Sequence, residues 1–123
     1  MDGFSIVLAG LKGSGKTRFL HHILNRVEEE TFQPTLEISR FSQILPGFGG
    51  IEWVDTPPLS SLFSDFEHEA GVRQLLLSRK YDAICCVIDS RQLLRSVALF
   101  HQLTALEKPM FAVISDRDGE SVL

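Results

Sequence analysis

The chain has 123 residues, 44% of them hydrophobic and 23% charged, with a formal net charge of −4. This describes one domain with a real core, and the acidic balance argues against nucleic acid as the main partner. No apolar run approaches the roughly 20 residues of a membrane span, and no basic-then-apolar leader opens the chain, so a cytoplasmic location without membrane insertion is expected.

Phe4-Ser5-Ile6-Val7-Leu8-Ala9 reads as a buried strand that runs into Gly10-Leu11-Lys12-Gly13-Ser14-Gly15-Lys16-Thr17. That stretch fits G-x-x-x-x-G-K-[ST], the phosphate-binding P-loop, without a gap. Its glycines let the backbone fold back, so that N–H groups along Gly10, Lys12, Gly13, Ser14 and Gly15 can face phosphate oxygens. Lys16 adds a point charge for the β- and γ-phosphates, and the Thr17 hydroxyl is placed to ligate Mg²⁺. Phe19, Leu20, Ile23, Leu24 and Val27 recur at helical spacing and predict a helix from Lys16 to Glu30, its positive N-terminus aimed at the same anion. The acidic triplet Glu28-Glu29-Glu30 opposes the helix dipole and marks fraying. Packing or solvent contact accounts for His21 and His22 better than metal ligation.

A loop over 31–37, centred on Pro34-Thr35, precedes an exposed edge strand over Ile38–Leu45. Pro46-Gly47-Phe48-Gly49-Gly50 turns the chain into the strand Ile51–Val54, which ends at Asp55; the short turn predicts an antiparallel hairpin at a sheet edge. Trp53 is expected in the core beside Asp55, as a fluorescence reporter. Thr56–Phe66, with two prolines and three serines, reads as a loop. A second helix is expected over Glu67–Arg79, around Val72, Leu75 and Leu76. Tyr81–Ile88 is apolar on both faces, as a central parallel strand should be. Its adjacent Cys85 and Cys86 read as small core residues of a reducing compartment. Asp89-Ser90 caps a third helix with Leu93, Val97, Phe100 and Leu103 on one stripe, and Met110–Ile114 is the last strand. The alternation of strands and helices predicts an α/β domain with a mostly parallel sheet.

Asp55 ends a strand some way after Thr17, where P-loop proteins place an aspartate that holds Mg²⁺ through water. A plain loop cap is the other reading of such a residue. Thr35 lies where GTPases put a threonine that senses the γ-phosphate and Mg²⁺, and a surface threonine after proline fits equally.

With these elements and Asp118 in order, the chain resembles a translation-factor-class small GTPase, and more closely the cytosolic GTPase domain of bacterial ferrous-iron transport protein B. Asp55-Thr-Pro-Pro-Leu-Ser-Ser-Leu62 is similar to that family's D-x-P-G-x-Y-S-L, and Tyr81-Asp-Ala-Ile-Cys-Cys-Val-Ile-Asp89 to its P-D-V-I-I-N-V-V-D. Leu93-Leu-Arg95 and Leu99-Phe-His-Gln102-Leu103, ending at Pro109, follow N-L-E-R and L-T-x-Q-L…P. The resemblance implies a three-layer P-loop NTPase fold of the small-GTPase type, a nucleotide-controlled switch coupled to iron(II) uptake, GTP and GDP as ligands, and Mg²⁺ held by Thr17, Thr35 and Asp55. Pro58 replaces the family's glycine, whose N–H reports the γ-phosphate, and proline has none. Leu59 offers no polar group to orient water, and Gly13 stands where the family has Asn, so potassium-assisted hydrolysis is not expected. Ser115-Asp116-Arg117-Asp118 resembles the guanine-reading N-[KM]-x-D: Asp118 can accept from guanine N1–H and N2–H, whereas Ser115 is shorter than Asn, so guanine preference is weakened; a polar turn after the last strand fits these residues equally.

Eight residues follow Ser115, too few for the final strand and helix of such domains, so the sheet is expected to stop after its fifth strand. An apolar edge strand is normally covered, which predicts a homodimer or a protein partner on the last strand and the neighbouring sheet face. Such a partner would also be the route to the inner face of a membrane. Three functions follow: a GTP/GDP switch with slow hydrolysis; a pseudo-GTPase serving as an interaction module; and, least favoured, an ATP-using P-loop protein.

Overall fold

The computed structural model describes residues 3–24 and 37–115. Five strands form one sheet in the order β2-β3-β1-β4-β5. They are β1 (Phe4–Gly10), β2 (Ser39–Leu45), β3 (Gly49–Asp55), β4 (Ala83–Asp89) and β5 (Met110–Ser115), and the helices are α1 (Lys16–Ile23), α2 (Ala70–Ser78) and α3 (Leu93–Leu103). All neighbouring strands run parallel except β2 and β3, the expected hairpin. The mostly parallel α/β sheet is the one that the alternation of elements predicts, and the fold is the three-layer P-loop arrangement that the resemblance implies.

Two apolar clusters fill the layers. On one face Ile6, Leu8, Trp53, Cys85 and Val87 pack with Leu20 of α1. On the other Val7, Ala9, Val54, Ile84 and Cys86 pack with Val72 and Leu76 of α2 and with Leu99 and Leu103 of α3. All seven residues of β4 are buried, so its adjacent cysteines face opposite layers. Burial pushes both thiols up to about 12, which keeps them neutral. On the first face, Trp53 Nε1 donates to Gln43 Oε1 at 3.0 Å, and Gln43 Nε2 donates to the Ile23 carbonyl at 3.1 Å. This pair of bonds ties the edge strand to the end of α1.

The elements depart from expectation at their ends. The described part of the first helix stops at Ile23, and its predicted continuation to Glu30 lies outside the described residues. A 3-10 turn over Glu67–Glu69 precedes α2, and another over Ser90–Gln92 precedes α3. The predicted stripe of α3 is corrected: Leu93 and Val97 are about half exposed (51% and 50%), whereas Ser96, Leu99 and Leu103 are buried. The cause is polar. The Asp89 N–H donates to Ser96 Oγ at 3.1 Å, and the Asp89 carboxylate accepts from the Arg91 N–H at 3.0 Å. These bonds end β4 in a tight turn and set the rotation of the helix that follows.

Candidate functional site

Parallel register brings the carboxyl ends of the strands to one edge. Leu8 lies opposite Asp55, Gly10 opposite Val87, and Asp89 opposite Ser115. The chain leaves β1 for β3 on one side and for β4 on the other, so a crevice opens at Gly10, where open α/β sheets bind ligands.

The loop from Gly10 to Thr17 occupies that crevice. Gly13 (φ 77°) and Gly15 (φ 89°) are left-handed, a conformation that side chains disfavour, and Gly15 caps the N-terminus of α1. A Cβ on Gly10 would stand 2.7 Å from Ser14 Oγ, so any larger residue would force that hydroxyl to move. Ser14 Oγ is buried and has no hydrogen-bond partner among the described residues. Outside the loop, Gln92 Nε2 donates both to the Lys12 carbonyl at 3.2 Å and to Asp89 Oδ2 at 3.0 Å. The tip of the loop is thereby tied to the start of α3.

Lys16 and Thr17 converge on Asp55. Lys16 Nζ lies 2.9 Å from Asp55 Oδ1 and also donates to the Thr56 carbonyl, and Thr17 Oγ1 donates to Asp55 Oδ2 at 3.3 Å. The lysine is only 5% exposed and the carboxylate 3%. Burial pulls the Lys16 pKa below its ordinary value, and the Asp55 charge and hydrogen bond oppose that shift. A threonine hydroxyl beside a carboxylate is an oxygen donor set suited to a hard cation, and the glycine loop ahead of a helix N-terminus is suited to a phosphate.

The structure thus gathers Gly10, Lys12, Gly13, Ser14, Gly15, Lys16, Thr17 and Asp55, with Lys12 exposed on the rim. Ser115 ends β5 on the same edge, two strands away from Gly10. Thr35 and Asp118 lie outside the described residues. Three residues were not read from the sequence as belonging here: Thr56, through its carbonyl, Gln92, and beside the site Gln102, whose Oε1 accepts from Ser61 Oγ and the Leu62 N–H. The only signal for the two glutamines was their neighbourhood in the N-L-E-R-like and L-T-x-Q-L-like stretches.

No curated protein sequence matches this chain. Among solved structures it is similar to the G domain of the T. maritima FeoB iron transporter, with 23% identity, TM-score 0.78, and coverage of 95% of this chain and 74% of that one. It is also similar to S. thermophilus NFeoB bound to mGMPPNP, with 27% identity, TM-score 0.76, and coverage of 93% and 44%. A further match is S. thermophilus NFeoB bound to GDP·AlF4⁻ and K⁺, with 27% identity, TM-score 0.76, and coverage of 94% and 45%. The chain therefore spans less than half of those two S. thermophilus chains. Among the described residues no helix is long and apolar enough to cross a membrane. A sequence model described as ferrous iron transport protein B matches residues 4–121, nearly the whole chain, and the chain belongs to that family.

Proposed function

We propose that this domain binds GTP and GDP with Mg²⁺ as the nucleotide-binding part of a ferrous-iron transporter, and that its hydrolysis of GTP is slow. The observation that carries the reading is the convergence of Lys16 and Thr17 on Asp55 at the foot of a complete P-loop. The guanine nucleotides in the two S. thermophilus structures support it. In this reading the loop amides and Lys16 hold the phosphates. Thr17 and Asp55, with Thr35, hold Mg²⁺, which when bound neutralises phosphate charge. Ser115 and Asp118 would be the residues that read the base.

Three residues support slow hydrolysis. Leu59 is fully buried and apolar, Pro58 has no N–H, and Gly13 has no side chain to coordinate a monovalent ion.

Pro58 and Ser115 also favour a second reading, a pseudo-GTPase whose nucleotide is structural while its surface binds a partner. That surface would include β5, an edge strand on which Phe111 and Ile114 are exposed. A homodimer or another protein would cover it, and a membrane-bound partner would bring the domain to the inner face of the membrane. Calorimetric titration with GTP, GDP and ATP analogues, with and without Mg²⁺, separates the readings. Binding of both guanine nucleotides with turnover supports the switch, and tight GDP binding without turnover supports the module. Preference for ATP would overturn both.

A further inference from the structure

The segment from Thr56 to Leu62 follows Asp55 and borders the crevice, and it is tied to three different parts of the fold. Thr56 Oγ1 donates to the Leu8 carbonyl at 2.6 Å, and the Leu59 N–H donates to the Gly10 carbonyl at 3.0 Å. The Ser60 N–H and hydroxyl donate to the buried Glu69 carboxylate at 3.1 and 3.0 Å. Ser61 Oγ and the Leu62 N–H converge on Gln102 Oε1 of α3 at 2.9 and 2.7 Å. Between these bonds the side chains of Leu59 and Leu62 are buried in the cluster beneath α2 and α3.

In GTPases the segment after this aspartate is ordered by contacts to the γ-phosphate and released on hydrolysis. Here two successive positions cannot serve for that: Pro58 has no N–H, and the N–H of Leu59 is given to the Gly10 carbonyl. Lifting the segment would also uncover two core leucines, a larger loss than one charge-assisted hydrogen bond returns.

We propose that residues 56–62 are a fixed wall rather than a moving switch, so that the site takes nucleoside diphosphate and triphosphate with nearly equal affinity. Gln102 is the positioning residue that closes the latch from α3. The affinity half rests on the nucleotide-binding reading above, whereas the conformational half rests on this chain's own bonds.

Amide hydrogen exchange on the 123-residue chain, free and with Mg²⁺ plus GDP or GMPPNP, tests both. In the free chain the amides of Leu59, Ser60 and Leu62 should exchange about 100-fold or more slowly than in an unstructured peptide, and change less than about threefold with either nucleotide. The dissociation constants for GDP and GMPPNP should agree within about fivefold, a difference below 1 kcal/mol. Gln102→Leu should speed exchange at Leu62 by about tenfold, and Gln102→Glu, which keeps an acceptor oxygen, should restore protection. Rapid exchange in the free chain overturns the proposal, as does new protection of these amides with GMPPNP alone. Protected amides in a chain that binds no nucleotide would refute the nucleotide reading while supporting the latch.

Discussion

Asp55→Asn tests the site through a trade between partners. In the free chain the Lys16 ammonium is buried and answered by the Asp55 carboxylate at 2.9 Å, with the Thr56 carbonyl as its other acceptor. Asparagine keeps the shape and one acceptor oxygen but removes the charge. The opposing influence on Lys16 then goes, and burial drives its pKa further down. A hydrogen bond to a charged group contributes about 1.5–3 kcal/mol, so with a weaker acceptor left in place the free chain should lose about 1–3 kcal/mol of stability. The same bond must break if Lys16 is to reach a phosphate. In buffer with EDTA, the variant should therefore bind nucleotide more tightly than the parent, by about 5- to 150-fold for the same 1–3 kcal/mol. With Mg²⁺ present the advantage should vanish or reverse, because the carboxylate is then the group that is missed. Urea unfolding measures the first effect and calorimetry the second. Unchanged or weaker Mg²⁺-free affinity, alongside the expected loss of stability, would refute the claim that Asp55 competes with phosphate for Lys16.

Lys16→Ala should abolish measurable phosphate affinity by calorimetry, and unchanged affinity would remove the loop from the site. Gly10→Ala forces a Cβ to within 2.7 Å of Ser14 Oγ, with the Val87 carbonyl at 3.4 Å; it should cost about 1–3 kcal/mol in urea unfolding, and adding Ser14→Ala should recover most of that. Cys85 and Cys86 stand at about 12 against an ordinary 9.0, so the unfolded chain ionises first. Their contribution is complete below pH 9.0 and is lost towards pH 12. For the two thiols together the loss is about 3 kcal/mol per pH unit. Cys85→Ala with Cys86→Ala should flatten that alkaline slope, leaving a smaller fall of the same sign from Tyr81, whose pKa burial also raises.

What the sequence displayed was whatever has a local period or a fixed spacing. The two-sided apolar run of β4, the glycine turn between β2 and β3, and the eight-residue loop motif each announce themselves within a few positions. The face of α3 did not. Leu93 and Val97 have the right spacing for a buried stripe, yet a single hydroxyl at Ser96, bonded to the Asp89 amide, turns the helix away from them. Gln102 was unreadable for a different reason. Its oxygen meets Ser61 and Leu62 some forty positions earlier, and a side-chain bond across that separation leaves no periodic trace. The meeting of Lys16 with Asp55 was legible as proximity, but the direct bond was not, since it depends on how far the lysine withdraws into the fold.

That withdrawal couples the two ligands of the proposed site. Without them the carboxylate of Asp55 already holds a cation, the ammonium of Lys16, together with the Thr17 hydroxyl. If the lysine turns to a phosphate, the buried Asp55 carboxylate gives up its 2.9 Å ion pair, and a divalent cation taking the vacated place would restore one. Nucleotide affinity should therefore rise with Mg²⁺, and by linkage Mg²⁺ affinity should rise with nucleotide by the same factor. Of the segment at 56–62 only the Thr56 carbonyl, which accepts from Lys16, enters this coupling; its other bonds run to β1, Glu69 and α3. Among the described residues, a nucleotide-linked signal would therefore start at the Lys16–Asp55 exchange.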